Sequence, residues 1–304
     1  MRPRHAGSVL VLVLGTALLL GLCACSPAAP RSAAPPTTIR FASYDFPENQ
    51  TLVEVYAEAA RRRGLPVSIQ DGIGTREVVT PALQQGVVDV VIDYLGTALQ
   101  FARPTDTDLP RDPAQMYTVL RRTLGGRGVD VLQPAVGAQD QNGFAVTESF
   151  ATERGVKSLS DLGPLAPQLS FGGPPECPDR PLCLLGLEQT YGLRFAHVLP
   201  MPSRVATVEA LVTGQIDVGL LETTDARLAT DPVVLLRDDR RLQPPENVVP
   251  MVRTGAYDRW GDDLRTALDD VSAKLTTADL VRLNGLVEQG LTPAQASAKW
   301  WDAR

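Results

Sequence analysis

The sequence predicts an α/β protein built from two lobes of similar construction. Strand-like and helix-like segments alternate along the chain, and the strand predicted at residues 87–94 is apolar almost throughout, as a strand buried on both faces should be. A segment at 75–94 is matched without a gap by a segment at 203–222. The alternation indicates a mostly parallel sheet covered by helices, and the repeat indicates that this arrangement occurs twice.

The first unit is predicted to run strand, helix, strand, helix, strand. Ile39–Ser43 forms the first strand, and the helix that begins near Pro47 is ended by Gly64. A second strand follows at Val67–Ile69, and Thr75 is placed to cap the next helix. The last strand of the unit is the apolar segment described above.

The repeat also predicts where a ligand binds. Arg76 matches Arg204 at the start of a helix in each unit, and the buried strands end at Tyr94 and Glu222. In open α/β sheets ligands bind beyond the carboxyl ends of the strands, and helix N-termini favour anions. We therefore expect a cleft with an aromatic ring, a carboxylate and cationic helix starts, which suits a small zwitterion. In the alternative interpretation both arginines are solvated and Glu222 is a surface carboxylate.

The N-terminal segment is predicted to lie outside the folded body. Residues 1–24 resemble a signal peptide, with a positive start and an apolar run too short to span a membrane. Cys25 follows Leu22 and Ala24 as in a lipoprotein processing site, and residues 25–38, rich in Pro, Ala and Ser, form a lipidated tether. We expect a location outside the cytoplasm, on the outer face of the cell membrane. An ordinary secretory signal is the alternative.

The second pair of cysteines lies in a Pro-rich loop. Cys177 and Cys183 are separated by six positions, and outside the cytoplasm such a pair is usually a disulfide. A metal site is the alternative, but the loop has no histidine nearby, and His197 is the only histidine after residue 24. We expect a disulfide and no bound metal.

Composition and motifs exclude several function classes. The chain has 304 residues, a formal net charge of −6 and no basic run that would bind nucleic-acid phosphates, so we expect no nucleic-acid partner. It has no nucleophile elbow, no paired metal-ligand motif and no phosphate loop. We therefore expect neither an enzyme nor a cofactor.

Several segments resemble a known family. The segments SYDFPENQ, GIGTREVVTPALQQGVVDVVIDYLGTAL and GQIDVGLLETTDA are similar to the substrate-binding proteins of osmoprotectant ABC importers, which bind glycine betaine, choline, carnitine or proline betaine. FGGPPECPDRPLCLLGLE and LDDVSAKLTTADLVRLN are similar to actinobacterial lipoprotein members. The resemblance covers about residues 39–301.

The resemblance implies the type 2 periplasmic-binding-protein fold, with two lobes and two crossover strands. The chain would leave the first lobe near residues 134–141 and return near 223–230. Residues 39–138 and 226–304 would then form the first lobe, and residues 139–225 the second.

The family's site implies candidate ligand residues. Family members hold a quaternary ammonium in a box of aromatic rings by cation–π attraction, and hold the carboxylate with a basic residue and a hydroxyl. Tyr94 and Thr97 match the first tyrosine of the box and the hydroxyl. Phe144 matches the second aromatic residue, and Arg180 matches the arginine that binds the carboxylate. We expect Tyr94 and Glu222 to face each other across the lobes, with Thr97 and Arg180 within reach of one ligand.

Three positions depart from the family's pattern. Ser43 and Tyr44 stand where the family often has Ser-Lys, Val208 replaces a third tyrosine of the box, and Glu222 replaces the fourth aromatic. Fewer rings weaken binding of a quaternary ammonium, whereas Glu222 offers a carboxylate to a cation with N–H donors and Tyr44 is a candidate replacement ring. The ligand is therefore left open among a betaine, a primary or secondary amine and an unrelated solute.

The function implied is that of a monomeric solute-binding lipoprotein. It would bind a small zwitterionic or cationic osmolyte between its lobes and deliver it to the permease subunits of an ABC importer. The alternative is a sensory or scaffolding lipoprotein that keeps the fold and has changed its ligand.

Overall fold

The computed structural model describes residues 37–105 and 109–304. The predicted signal peptide at residues 1–24, nearly all of the predicted tether and the predicted lipidation site Cys25 lie outside the described residues. None of the helices in the described ranges is long and apolar enough to cross a membrane.

A five-stranded sheet forms the centre of the first lobe. Its strands are, in spatial order, β2 (Val67–Gln70), β1 (Ile39–Ala42), β3 (Val90–Tyr94), β10 (Val248–Arg253) and β4 (Val129–Val131). Strands β1, β2 and β3 are parallel, and β10 is antiparallel to both of its neighbours. The helices of this lobe are α1 (Pro47–Arg62), α2 (Arg76–Gln84), α3 (Leu95–Ala102), α4 (Pro113–Gly125), α8 (Thr254–Ser272), α9 (Thr277–Glu288) and α10 (Pro293–Asp302).

A second five-stranded sheet forms the centre of the other lobe. Its strands are, in spatial order, β7 (His197–Pro200), β6 (Ser170–Gly173), β8 (Val218–Glu222), β5 (Asn142–Thr147) and β9 (Val233–Leu236). The helices of this lobe are α5 (Glu148–Arg154), α6 (Leu184–Tyr191) and α7 (Arg204–Val212). Three strands are again parallel, and β5 is antiparallel to its neighbours, so the two sheets share one topology.

The repeat seen in the sequence is a repeat of structure. Helix α2 and strand β3 have the same lengths and spacing as α7 and β8. An aspartate precedes each strand and fixes it to the neighbouring parallel strand: Asp89 accepts from the backbone N–H of Arg40 at 3.1 Å, and Asp217 accepts from that of Ser170 at 2.8 Å. The prediction of two lobes of similar build is confirmed.

The helix caps of the repeat differ between the two lobes. Ser203 caps α7 by accepting from the backbone N–H of Ala206, whereas Thr75 occupies the predicted N-cap position of α2 but its side chain makes no capping hydrogen bond. The hydroxyl of Thr75 instead donates to the carboxylate of Glu77 at 2.6 Å, so it is engaged by a neighbouring side chain.

The chain crosses between the lobes twice. The first crossing, at residues 132–141, lies where the sequence predicted it. The predicted return near 223–230 is wrong, because Val233–Leu236 forms β9, which pairs with β5 in the second sheet. Residues 226–229 do touch α9 of the first lobe, but the apolar strand after them completes the second sheet. The return therefore runs through residues 237–247, and the second lobe extends to residue 236.

The C-terminal tryptophans belong to the core of the first lobe. Trp300 is fully buried against the face of the sheet that α1, α8, α9 and α10 cover. Trp301 meets it edge to face, with ring centroids 5.0 Å apart, and donates from its indole N–H to the backbone oxygen of Val55 on α1. Helix α10 is thereby fixed to α1, and both tryptophans take part in this packing.

The glycines that end α2 and α7 provide a matched test of the repeat. Gly86 and Gly214 have φ values of +74° and +71°, which disfavour any residue with a Cβ. A Cβ at Gly214 meets nothing within 4 Å, whereas one at Gly86 lies 3.2 Å from the Cδ of Arg253, a side chain ion-paired with Asp89. We expect Gly214→Ala to lower the free energy of unfolding by about 1–2 kcal/mol and Gly86→Ala to lower it further.

Urea unfolding of the two variants and the parent protein measures both losses. Equal losses would contradict the prediction, since they would mean that Arg253 moves aside without cost.

Candidate functional site at the boundary between the lobes

The two crossing segments bring the ends of the central strands together. Gln139 of the first crossing pairs with Asn247 of the second in an antiparallel bridge. Leu95, just after β3, donates its backbone N–H to Asn247 at 3.0 Å, and Thr223, just after β8, donates to Gln141 at 2.9 Å. The carboxyl ends of β3 and β8 therefore meet at the boundary between the lobes, as the repeat predicted.

Glu48 is the centre of a hydrogen-bond network at this boundary. Its Oε1 accepts from the hydroxyl of Tyr94 at 2.6 Å, and its Oε2 accepts from the hydroxyl of Thr224 at 2.6 Å and from the Nδ2 of Asn284 at 2.7 Å. Burial raises the pKa of Glu48, these three hydrogen bonds oppose the rise, and the charge of Glu222 adds to it. The network joins the start of α1 to the segment that follows β8 in the other lobe.

Asp140 on the first crossing is a second buried carboxylate. Its Oδ1 accepts from the hydroxyl of Thr223 and from the backbone N–H of Thr224, both at 3.2 Å. Burial raises the pKa of Asp140 well above its usual range, and the charges of Glu48 and Glu222 raise it further. Two carboxylates thus lie close enough at this boundary for their charges to interact.

Glu222, at the end of β8, is paired with an arginine of its own lobe. The Nε and Nη2 of Arg204, at the start of α7, donate to its two carboxylate oxygens. The sequence had offered a solvated Arg204 and a surface Glu222 as the alternative to a shared cleft. The pair instead lies at the boundary, partly exposed, and its charges are felt by Glu48 and Asp140.

The first lobe has a corresponding pair. Arg76, at the start of α2, donates to both oxygens of Asp93, at 2.6 Å from Nη2 to Oδ1. The hydroxyl of Tyr44 also donates to Asp93, and the guanidinium of Arg76 lies 4.7 Å from the centroid of the Tyr44 ring. Burial alone would lower the pKa of Arg76, but the charges of Asp93 and Tyr44 raise it. The ring of Tyr44 is therefore already covered by a cation of the protein.

Three aromatic rings form a row in the first lobe. The rings of Tyr44 and Phe46 are stacked with centroids 6.0 Å apart, and those of Phe46 and Tyr94 with centroids 6.3 Å apart. Phe46 was not among the residues predicted from the sequence, although it stands in the segment that carries the family resemblance. Its position next to Tyr94 makes it a candidate to replace one of the aromatic rings that the family has and this chain lacks.

Thr97 holds a glutamate of the second crossing. Its hydroxyl donates to Oε1 of Glu246 at 2.5 Å, and the backbone N–H groups of Gly96 and Thr97 donate to Oε2 at 3.0 Å each. Burial raises the pKa of Glu246 to about 7, against the effect of the hydrogen bonds from Thr97. The start of α3 is thereby fixed to the segment that returns from the second lobe.

Arg180 lies at the boundary but is paired across it. Its Nη2 lies 2.7 Å from the Oε1 of Glu77 on α2, so this ion pair joins the two lobes. A disulfide between Cys177 and Cys183 spans the turn that carries Arg180, with a Cα–Cα distance of 5.3 Å. Both cysteines are buried, which fixes the turn to the second lobe.

The remaining predicted residues lie away from the boundary or are engaged within a lobe. Ser43 is buried, with its hydroxyl donating to Asp71 and accepting from Gly72. Phe144 was predicted to be a ligand ring, and this is wrong: it is 1% exposed and packs against Phe171 in the core of the second lobe. Alternation along β5 turns it to the same core as Val146.

Val208, another position that the resemblance assigns to the family's box, is also buried, in the core under α7. Two of the four positions that the resemblance assigns to the box therefore face the interior of the second lobe.

Two other features of the described chain are not candidates for this site. A small, mainly apolar cavity lies inside the first lobe between β3, β10, α2, α3 and α4, and its one charged lining residue, Asp93, is already paired with Arg76. Within residues 37–105 and 109–304, no group of three or more histidine, cysteine, aspartate or glutamate side chains is arranged to hold a metal ion.

Comparison with known proteins gives a consistent family. Residues 37–303 match the family described as the substrate binding domain of the ABC-type glycine betaine transport system. The glycine-betaine-binding protein of Pseudomonas aeruginosa is 27% identical over 294 residues, which covers 92% of this chain and 93% of that protein. The carnitine transport binding protein OpuCC of Listeria monocytogenes is 24% identical, covering 93% of this chain and 91% of that protein.

Solved structures share the fold. A glycine betaine/carnitine/choline ABC transporter structure is similar with a TM-score of 0.70 and 21% identity, covering 87% of this chain and 98% of that one. Lactococcal OpuAC, in a closed conformation with glycine betaine, gives a TM-score of 0.63 and 17% identity, covering 88% of this chain and 96% of that one. These likenesses and the sheet topology confirm the predicted α/β fold of two lobes.

The raised pKa of Glu246 predicts a pH-dependent stability. Its pKa of about 7 in the folded protein lies above the ordinary value of 4.5. Ionisation of Glu246 therefore leaves the free energy of unfolding unchanged below pH 4.5 and lowers it by the full amount above pH 7. Glu246→Gln removes the ionisable group and keeps the shape. We expect the variant to gain up to about 3 kcal/mol of unfolding free energy relative to the parent as pH rises through this window.

Urea unfolding at several values of pH between 4.5 and 8 measures the difference, with the exposed Glu153→Gln as control. A difference between Glu246→Gln and parent that does not change with pH would contradict the assignment.

Proposed function

Since the chain belongs to the family of substrate-binding domains of ABC-type glycine betaine transport systems, we propose that it binds a small zwitterionic or cationic osmolyte between its lobes. The bound solute is then delivered to the permease of the importer. The relatives named for glycine betaine and carnitine support this class of solute.

Membership of the family confirms the resemblance that the sequence predicted. Proteins of this kind act outside the cytoplasm and pass a solute to the membrane subunits of an importer. They are not enzymes, and the prediction that this chain is not an enzyme is confirmed on that ground.

The observation that carries the proposal is the set of contacts that join the lobes. Glu48 bonds to Thr224 across the boundary, and Glu77 pairs with Arg180 across it. Binding proteins of two lobes close around their ligand by hinge motion, and such motion requires contacts that form on closure. The two crossing segments supply the hinge, and these side chains supply the contacts.

We assign the ligand to the space beside the ends of β3 and β8. The rings of Tyr94 and Phe46 would face a cationic head, with Glu222 contributing negative charge. Thr97 acts through Glu246 by holding the second crossing, and Arg180 acts by closing the lobes. Tyr44 and Ser43 support the first lobe beneath these residues.

A sensory or scaffolding role is the second candidate. It is favoured by the burial of Phe144 and Val208, which leaves fewer rings than the family's box. Uptake of a labelled solute by cells with and without the gene separates the two: loss of uptake on deletion supports import, whereas unchanged uptake favours sensing.

We further propose that the protein is a monomer held to the membrane by lipid on Cys25. Leu22 and Ala24 precede this cysteine as a lipoprotein signal requires. We expect Cys25→Ala to leave the protein unprocessed or to release it into the medium, while Cys23→Ala keeps it lipid-labelled. Metabolic labelling with a fatty acid measures this, and label retained by Cys25→Ala but lost by Cys23→Ala would assign the anchor to Cys23.

Binding to a panel of solutes tests the central proposal. We expect at least one of glycine betaine, choline, carnitine, proline or a small amine to raise the melting temperature, because it binds only the native state. Tyr94→Leu removes the ring and should weaken the binding of that solute by about 1–2 kcal/mol. Phe144→Leu is the matched control: it should lower stability and leave the affinity unchanged, because Phe144 lies in the core.

If no solute of the panel shifts the melting temperature of the parent protein, the proposed function is contradicted. If Phe144→Leu reduces affinity and Tyr94→Leu does not, the site lies elsewhere.

A further inference from the structure

Carboxylates outnumber cations where the lobes meet. Glu48, Asp140, Glu222 and Asp225 interact electrostatically there, and Arg204 forms its ion pair with Glu222. Within residues 37–105 and 109–304, no lysine or arginine nitrogen lies within 4.0 Å of the carboxylate of Glu48, Asp140 or Asp225. None of these three carboxylates forms an ion pair within that distance, although the charge of Arg204 acts on Asp140 and Asp225 and that of Arg227 acts on Asp225.

The three carboxylates without an ion pair are largely held out of water. Glu48, Asp140 and Asp225 are 7%, 8% and 6% exposed. Burial raises the pKa of each, and in each case the charge of Glu222 adds to the rise. Buried charges of one sign are costly unless an opposite charge lies among them, so a cation at this boundary would be strongly favoured.

Several acceptor atoms here also lack a donor. The Oδ2 of Asp225 and the Oε1 of Gln243 are buried without a hydrogen-bond partner. The hydrogen bonds that Asp140 accepts among the described residues go to its Oδ1. An amide oxygen and an ionised carboxylate accept hydrogen bonds and cannot donate them, so the complementary group is one that carries N–H.

Gln243 gives evidence that is independent of the acidic residues. It is an uncharged amide on the second crossing, and its Nε2 donates to the backbone oxygen of Leu182 at 2.9 Å. The Nδ2 of Asn142 donates to the same oxygen at 3.1 Å, and Asn142 lies directly opposite Glu222 in the pairing of β5 with β8. The Gln243 side chain therefore shares an acceptor with the residue that lies opposite Glu222.

The arginines of the boundary are already engaged. Arg76, Arg180 and Arg204 each pair with a carboxylate of the protein. A zwitterionic solute needs a cation to hold its carboxylate, and taking one of these arginines would release a further protein carboxylate. A ligand without a carboxylate avoids that cost.

Resting on the proposed function as a solute-binding protein, we propose that the ligand is an organic cation that carries N–H donors and no carboxylate, such as a primary amine or a guanidinium compound. Asp140 and Asp225 hold its charged end, Oε1 of Gln243 accepts one of its hydrogen bonds, and the ring of Tyr94 covers its apolar part. A trimethylammonium head fills none of the unmet acceptors, because it has no N–H.

Calorimetric titration with matched probes tests the proposal. Ethanolamine and choline differ only in N-methylation, as do glycine and glycine betaine, and the second pair has a carboxylate where the first has a hydroxymethyl group. Putrescine and agmatine extend the set to longer amines and to guanidinium. We expect ethanolamine, putrescine or agmatine to bind at least about tenfold more tightly than choline, and glycine to bind more weakly than ethanolamine.

Asp140→Asn tests the assigned residue, with the exposed Asp262→Asn as control. Since the substitution removes a buried charge, we expect the unliganded variant to melt at the same or a higher temperature at neutral pH and yet to lose about tenfold or more in affinity for the amine probe. Asp262→Asn should change neither. If Asp140→Asn does not fold, Asp225→Asn is measured in the same way.

The outcomes separate this proposal from the proposed function. Choline or glycine betaine binding as tightly as the amines, or amine affinity unaffected by a folded Asp140→Asn and by Asp225→Asn, would overturn the inference and leave solute binding intact. No binding by any of these probes or by carnitine and proline would overturn both.

Discussion

An arginine at the start of a helix is tied, in each lobe, to a carboxylate at the end of the strand that follows that helix. Arg76 holds Asp93 in the first lobe, and Arg204 holds Glu222 in the second. Each pair fixes a strand end at the boundary between the lobes. The guanidinium is occupied by this contact with a carboxylate of the protein. The charge that remains at the boundary is then set by the carboxylates that have no such partner, Glu48 among them.

The contact between the lobes is largely polar. A carboxylate taken out of water must be met by donors, and Glu48 receives them from β3, from the segment after β8 and from α9. A network of this kind is satisfied only when both lobes are in place, so opening exposes its members to water and closing requires all of them again. The free-energy difference between the closed and the open arrangement of the lobes therefore depends more strongly on exact geometry than it would for an apolar contact of similar size.

The sequence predicted the helix–strand units well because the repeat displays the same pattern twice. It did not predict the second crossing, because the four apolar residues of β9 are compatible with either sheet. The residues of a strand do not by themselves determine which strand it pairs with. Glu48 was overlooked because an acidic residue in the first turn of a helix is ordinary. Phe144 was misplaced because a match in sequence does not show which way a side chain points, whereas the pleat of β5 turns this ring into the core.

The ion pair between Glu77 and Arg180 joins the lobes at a place that water reaches, for the Glu77 side chain is 53% exposed. Dissolved ions screen such a pair, over a distance of about 8 Å at physiological salt and less as the concentration rises. The free energy that this pair contributes to holding the lobes together therefore falls as the salt concentration of the surrounding medium rises.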